Sequence, residues 1–335
     1  MVDTRIRPTR NPLLNVRPAD IIPMGFQFVF GTFVENAGYL VDTIKTTRNW
    51  HDALLVRFNM KGSAELNLRN GRRMLLDKPG YAEYAMLRYA LSHGLPVSSA
   101  DGRHADFAFD GRRVALAGEQ VLFNVLEVFM SEAYATLDCT GKVVVDAGAN
   151  IGDTAIFFAL RGAKQVFALE PFYNLYIAGK ENVRANRLGD RVTFVNCALS
   201  SWDGTVPADP KAHGTIFTRF EAADRGGAAY PENGGLQAPG VPVLTLKSLA
   251  QVCGITDAVL KMDCEGAEYA ILLNSDAETL RIFSQMLLEF HYGYRDLAEK
   301  LESAGFTVKI VSGPKFLVPG GSPSEVIGLL HAIRR

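Results

Sequence analysis

The chain has 335 residues, 48% apolar and 21% charged, with 35 basic against 36 acidic side chains and a net charge of −1. That length holds about two domains and a large core, and the composition is ordinary for a soluble globular protein. The charge balance excludes a global field that would draw the chain to nucleic acid or an anionic membrane.

The first twenty residues are Arg-rich but lack the apolar run of a signal peptide. The apolar stretch "IIPMGFQFVFGTFV", residues 21–34, contains Pro23, Gln27 and two glycines. It is too short to span a bilayer, so burial against the fold is expected over a place on a membrane surface. A cytoplasmic protein is expected, without a nucleic-acid or membrane partner; self-association into a homo-oligomer is left open. "AELNLRNGRRMLL" and "ADFAFDGRRVALA" alternate apolar and polar residues around Asn70-Gly71 and Asp110-Gly111, which predicts two β-hairpins. Between them, "YAEYAMLRYALSH" has helical spacing with Tyr84, Leu87 and Leu91 on one face. An amphipathic helix is predicted over 119–137, with Leu122, Val125, Leu126, Phe129 and Met130 on its apolar side.

From there strands and helices alternate. "KVVVDAGA", "QVFALEP", "RVTFVNCALS", "AVLKMDCEGAE" and "QMLLEFH" read as five strands, with helices in "GDTAIFFALRG", "NLYIAGKENVRANRLG", "LTLKSLAQVCG" and "EYAILLNSDAETLRIF". "DLAEKLESAG" then leads into "FTVKIV", and "EVIGLLHAIR" reads as a last strand at the sheet edge. Alternation implies parallel pairing with right-handed crossovers and a sheet covered on both faces. The expected fold is therefore α/β: a doubly wound, mostly parallel Rossmann-like sheet over 119–335, preceded by a smaller α+β region over 1–118. The segment 214–240 holds six glycines, with Pro231 and Pro239. It reads equally as an exposed connection or as a flap over the strand ends. The four cysteines, Cys139, Cys197, Cys253 and Cys264, form no C-x-x-C pair, so neither a disulfide framework nor a zinc site is expected.

The loop in "VVVDAGANIGDTA" lies where α/β sheets bind ligands, after the first strand of the alternating region. Gly148 allows a tight turn and Gly152 close packing at the helix start, with Asp153 or Thr154 as candidate cap. A dinucleotide loop would carry a glycine where Asn150 stands, and Asp146 would repel a pyrophosphate by several kcal/mol, to order of magnitude. A ligand bearing an ammonium and a sulfonium and no phosphate, S-adenosylmethionine, suits this loop instead. Glu170 ends the next strand, where a carboxylate accepts hydrogen bonds from both ribose hydroxyls.

With "VVVDAGANIGD", "VFALEP", "VTFVNCALS", "LKMDCEGAE" and "LLEFH" in that order over residues 141–291, the chain resembles the FkbM-type family of class I S-adenosylmethionine-dependent methyltransferases. The resemblance implies a methyl donor held by Asp146, Gly148, Asn150 and Gly152, Glu170 on the ribose, and Asn196 to Ala198 along the adenine. It also implies O-methylation of a hydroxyl on a small molecule or sugar.

Four groups fall at the ends of the fourth and fifth strands: Asp263, Glu265, Glu289 and His291. His291 is expected as a base for an acceptor hydroxyl, with Asp263 and Glu265 as further catalytic candidates; Glu268 is expected to start a helix. The same groups are sufficient ligands for a divalent metal, but such clusters without a tight motif are seldom metal sites, and none is assigned. An NAD-dependent oxidoreductase and a catalytically silent nucleoside-binding protein are the alternatives.

Overall fold

The structure is a computed structural model, describing residues 38–77, 81–92, 97–101, 103–206, 240–317 and 325–335. The apolar stretch 21–34 and nearly all of the glycine-rich segment 214–240 lie outside the described residues. The described residues form two compact units that divide at Ala133/Tyr134.

In the smaller unit, helix α1 (Trp50–Arg57) precedes the antiparallel pair β1 (Ala64–Asn67) and β2 (Arg73–Leu76). Helix α2 (Tyr81–Ser92) follows, then a three-stranded antiparallel sheet of β3 (Val97–Asp101), β4 (His104–Phe109) and β5 (Arg112–Ala117). Both expected hairpins are present. Asp110 and Gly111 turn the second with φ of 48° and 73°, the paired positive φ values that a two-residue type I′ turn requires. On α2, Tyr84 and Leu87 are buried and Leu91 is half-buried. The helix expected over 119–137 is shorter: α3 (Val121–Asn124) continues as a π-wound segment, Val125–Met130. The wider winding keeps Val121, Leu122, Val125, Val128 and Phe129 buried. Phe129 meets Phe107 and Phe109 edge-on. Those ring contacts bind this helix to the β3–β5 sheet.

The larger unit is a seven-stranded sheet in the order β14-β15-β13-β12-β6-β7-β8. Its strands are β6 (Val143–Ala147), β7 (Gln165–Leu169), β8 (Val192–Val195), β12 (Ala258–Met262), β13 (Phe283–Phe290), β14 (Phe306–Leu317) and β15 (Glu325–Arg334). The small sheet β10-β11-β9 comprises β9 (Ala198–Leu199), β10 (Gly204–Val206) and β11 (Val241–Leu244). Helices α4 (Asp153–Leu160) and α5 (Tyr173–Ala185) connect β6 to β7 and β7 to β8. Helix α6 (Leu246–Cys253) leads back to β12, α7 (Glu268–Asn274) and α8 (Ala277–Leu280) join β12 to β13, and α9 (Arg295–Ser303) precedes β14.

Strands β8, β7, β6, β12 and β13 are parallel, and β15 is antiparallel to both neighbours. β15 does not sit at the edge as the sequence suggested. A hairpin from β14 returns it between β14 and β13, where its apolar residues Val326, Leu330 and Ala332 are fully buried. The order in which strands are added reverses between β6 and β12, with β7 and β8 on one side of β6 and β12 and β13 on the other. Alternate residues of β6 therefore face different layers: Val145 and Ala147 join the core with Leu249 of α6, Leu272 of α7 and Leu297 of α9, while Asp146 faces α4. The loops after β6 and β12 meet at this reversal, where α/β sheets form their crevice.

Candidate active site

One wall of the crevice is built around Asp146, which has no exposed surface. The Thr154 hydroxyl donates to its Oδ2 at 2.6 Å, and Lys261 Nζ lies 3.3 Å from its Oδ1. Lys261 is the residue beside Asp146 on the neighbouring strand β12. Burial alone would pull its pKa down, but the facing carboxylates of Asp146, Asp263 and Asp153 hold it above the usual lysine range. The ammonium also donates to the Gly148 carbonyl at 2.9 Å and sits 5.2 Å from the Tyr134 ring centre. Asp146 is thus not an open charge facing a ligand. Its partner lies inside the protein, so the pair stiffens the loop and contributes little to the choice between a phosphate and a sulfonium.

The loop itself is held by close approach. Gly148 has φ +76°, and a Cβ there would lie 1.8 Å from the carbonyl oxygen of Asp263. Gly152, at φ +84°, leads into α4, and a Cβ there would meet Phe194 at 3.0 Å and the Gly179 backbone at 3.3 Å. No side chain caps α4; Thr154, a candidate cap, binds Asp146 instead. Asn150 takes φ 46°, and its N–H donates to Glu170 Oε2 at 3.0 Å. The Phe172 N–H donates to the other oxygen, Oε1, at 2.8 Å. Burial pushes the Glu170 pKa up to about 8, against the pull of those two N–H groups and of Lys261. Asn196 donates to the carbonyls of Glu170 and Pro171, each at 2.9 Å, and Ala198 is buried at the start of β9. Asp146, Gly148, Asn150, Gly152, Glu170, Asn196 and Ala198 therefore line the ends of three consecutive strands, β6, β7 and β8.

The facing wall brings together Asp263, Glu265 and His291. His291 Nε2 lies 3.6 Å from Glu265 Oε2 and 4.0 Å from Asp263 Oδ1. Its Nδ1 faces Glu268 Oε2 at 3.6 Å. Glu268 starts α7, as expected, yet it is fully buried and accepts the Cys264 N–H at 2.6 Å. The adjacent Tyr269 donates to the Gly293 carbonyl and accepts the Tyr292 N–H at 2.8 Å, which fixes the turn bearing His291. Tyr134 donates to Asp263 Oδ2 at 3.3 Å, and Glu265 is held at φ 53°. Glu289 is not a member of this group. Burial alone would lower the His291 pKa, but the Glu268 contact and the charges of Asp263 and Glu265 raise it to about 10. That shift comes from the carboxylates that face the ring on both sides.

Sequence reasoning missed Lys261, Glu268, Tyr134 and Tyr269. Lys261 left a signal: it is the one charge in "AVLKM", a run buried at every position, and a buried lysine needs a buried acid nearby.

A seven-stranded sheet, parallel but for the antiparallel β15 inserted between β14 and β13, with a glycine loop after β6 and an acid ending β7, is the class I methyltransferase fold. The family model described as the methyltransferase FkbM domain matches residues 146–308, and this part of the chain belongs to that family, whose methyl donor is S-adenosylmethionine. A ribosomal protein L11 methyltransferase of Carboxydothermus hydrogenoformans is 36% identical over 84 residues, 25% of this chain and 28% of the relative. A probable protein arginine N-methyltransferase 6 of Arabidopsis thaliana is 33% identical over 113 residues, 29% of this chain and 25% of the relative. The chain thus matches about a quarter of the length of these curated relatives. Among solved structures, the magnesium protoporphyrin IX methyltransferase of Synechocystis PCC 6803 with bound SAM aligns over 64% of this chain and 82% of its own, at 13% identity and a TM-score of 0.34.

Proposed function

We propose that the protein transfers a methyl group from S-adenosylmethionine to a hydroxyl of a small molecule or sugar. The observation that carries this reading is Glu170: a buried carboxylate at the end of β7, beside the loop of an FkbM-type domain, suited to the two donors of a ribose diol. NAD carries a ribose diol as well, so the support for a methyl donor over the NAD alternative comes from the FkbM-type domain matched over residues 146–308.

When bound, the donor supplies a methyl carbon whose bond to sulfur breaks, its electron pair passing to sulfur, as the acceptor oxygen bonds to that carbon. The chain's part is to align the two reactants, exclude water and take the hydroxyl proton. Gly148 and Gly152 let the backbone approach the donor, and Asn150 and Asn196 keep Glu170 and its neighbouring turn in place. Asp263, Glu265 and His291 stand together across the crevice, where the acceptor hydroxyl would lose its proton. The near-zero net charge of the chain supports a small acceptor over a nucleic acid.

A thermal shift with S-adenosylhomocysteine, run beside NAD and ATP, tests the donor. At about a hundred times its Kd a ligand adds roughly 2.7 kcal/mol, which raises the melting point by several degrees in a protein of this size. A shift with NAD alone overturns the reading. Label transfer from S-adenosylmethionine to a panel of hydroxylated acceptors, against matched amines, then separates O-methylation from N-methylation and from a silent binding protein.

A further inference from the structure

We propose that Asp263, Glu265 and His291 form a binding site for a divalent cation of the Mg2+ or Mn2+ kind. One ligand atom from each residue lies within 4.8 Å of the other two. Metal–oxygen and metal–nitrogen bonds of about 2.1 Å place ligand atoms about 3 Å apart at right angles and about 4.2 Å apart when opposed. The separations from His291 Nε2, 3.6 Å to Glu265 and 4.0 Å to Asp263, fall within that span. They are longer than hydrogen bonds, and the three groups converge on a common point.

The imidazole provides the independent observation: His291 is 5% exposed, and its buried ring aims Nε2 at Asp263 and Glu265, beyond hydrogen-bond distance of either. Its ring faces a carboxylate on each side: Glu268 behind Nδ1, Asp263 and Glu265 in front of Nε2. A carboxylate behind one nitrogen and an open set of oxygens before the other is how proteins orient a metal-binding histidine. Glu268 is positioned for this by the Cys264 N–H. Two carboxylates would neutralise a divalent ion, and an oxygen-rich set with one imidazole suits Mg2+ or Mn2+ over softer ions. Glu265 is held at positive φ with its side chain 60% exposed, which leaves the front of the site open to an acceptor. Resting on the hydroxyl-methylation reading, the cation's part would be to lower the acceptor's pKa.

The test is Mn2+ titration of the full chain followed by electron paramagnetic resonance, in which the six-line signal of free Mn2+ is lost on binding. One bound ion per chain is expected, displaced by Mg2+ in excess. Glu265→Gln should weaken it at least tenfold, and Asp263→Asn with Glu265→Gln should abolish it. Glu268→Gln should weaken it by about 10- to 100-fold through misorientation of His291. Because Glu265 is exposed, its variant keeps the fold, and circular dichroism checks the others. No binding at millimolar Mn2+, or binding unchanged in the double variant, overturns the proposal. S-adenosylhomocysteine is titrated into the same samples. Nucleoside binding without Mn2+ sinks the metal site alone, and Mn2+ binding without the nucleoside sinks the methyltransferase reading alone.

Discussion

Replacing Gly148 by alanine probes the junction of the two walls directly. The new Cβ would stand 1.8 Å from the Asp263 carbonyl oxygen, whereas a non-bonded carbon and oxygen need about 3.3 Å. The loop and the end of β12 must then part by about 1.5 Å, the difference between those two distances. Both sides are backbone, so no rotamer change relieves the contact. Alanine at φ +76° adds roughly 1–2 kcal/mol, and forced backbone movement in a packed region adds typically 1–3 kcal/mol. The total of about 3 kcal/mol corresponds to roughly 6–12 °C in melting temperature. Asp263 would move away from Tyr134 and His291, and a misplacement of about 1 Å can lower a rate by about 100-fold. Differential scanning fluorimetry measures the stability change, and nucleoside titration measures the binding. A variant that melts within 2 °C of the parent, to order of magnitude, and binds S-adenosylhomocysteine with unchanged affinity would refute the close-approach argument.

Lys261→Met should destabilise the protein by about 3–5 kcal/mol, because Asp146 is left buried and unpaired. Adding Asp146→Asn should recover a large part of that loss, as read by urea unfolding; no recovery would mean that Lys261 acts by packing alone. Glu170 gives a pH signature. With its carboxyl raised from 4.5 to about 8 in the fold, the folded chain holds a proton that the unfolded chain releases between those values. Its contribution therefore declines as pH rises across that window and is constant above it. The stability difference between the parent and Glu170→Gln, followed by denaturation from pH 5 to pH 9, should carry this slope; a flat difference would show that Glu170 is ionised throughout.

The sequence by itself determined the alternation that builds the sheet, both hairpins of the first unit and the identity of the glycine loop. These are local properties: β-branched runs, helical spacing, Asn-Gly and Asp-Gly turns, and glycines where the backbone takes positive φ. Counting strand ends also set four groups at the ends of the fourth and fifth strands, of which Asp263, Glu265 and His291 come together in space. Tertiary structure decided how charge is distributed among them. Asp146 and Lys261 lie 115 positions apart in the chain yet sit side by side on β6 and β12, so no local pattern could show that the loop's acid already has its cation. His291 likewise reads as a base in isolation; only the turn fixed by Tyr269 and the start of α7 bring Glu268 behind it and Asp263 and Glu265 before it. The sequence put β15 at the sheet edge for the same reason, because edge and interior strands differ in what covers them. Electrostatics and strand order depend on distances in space, and those exist only once the chain has closed on itself.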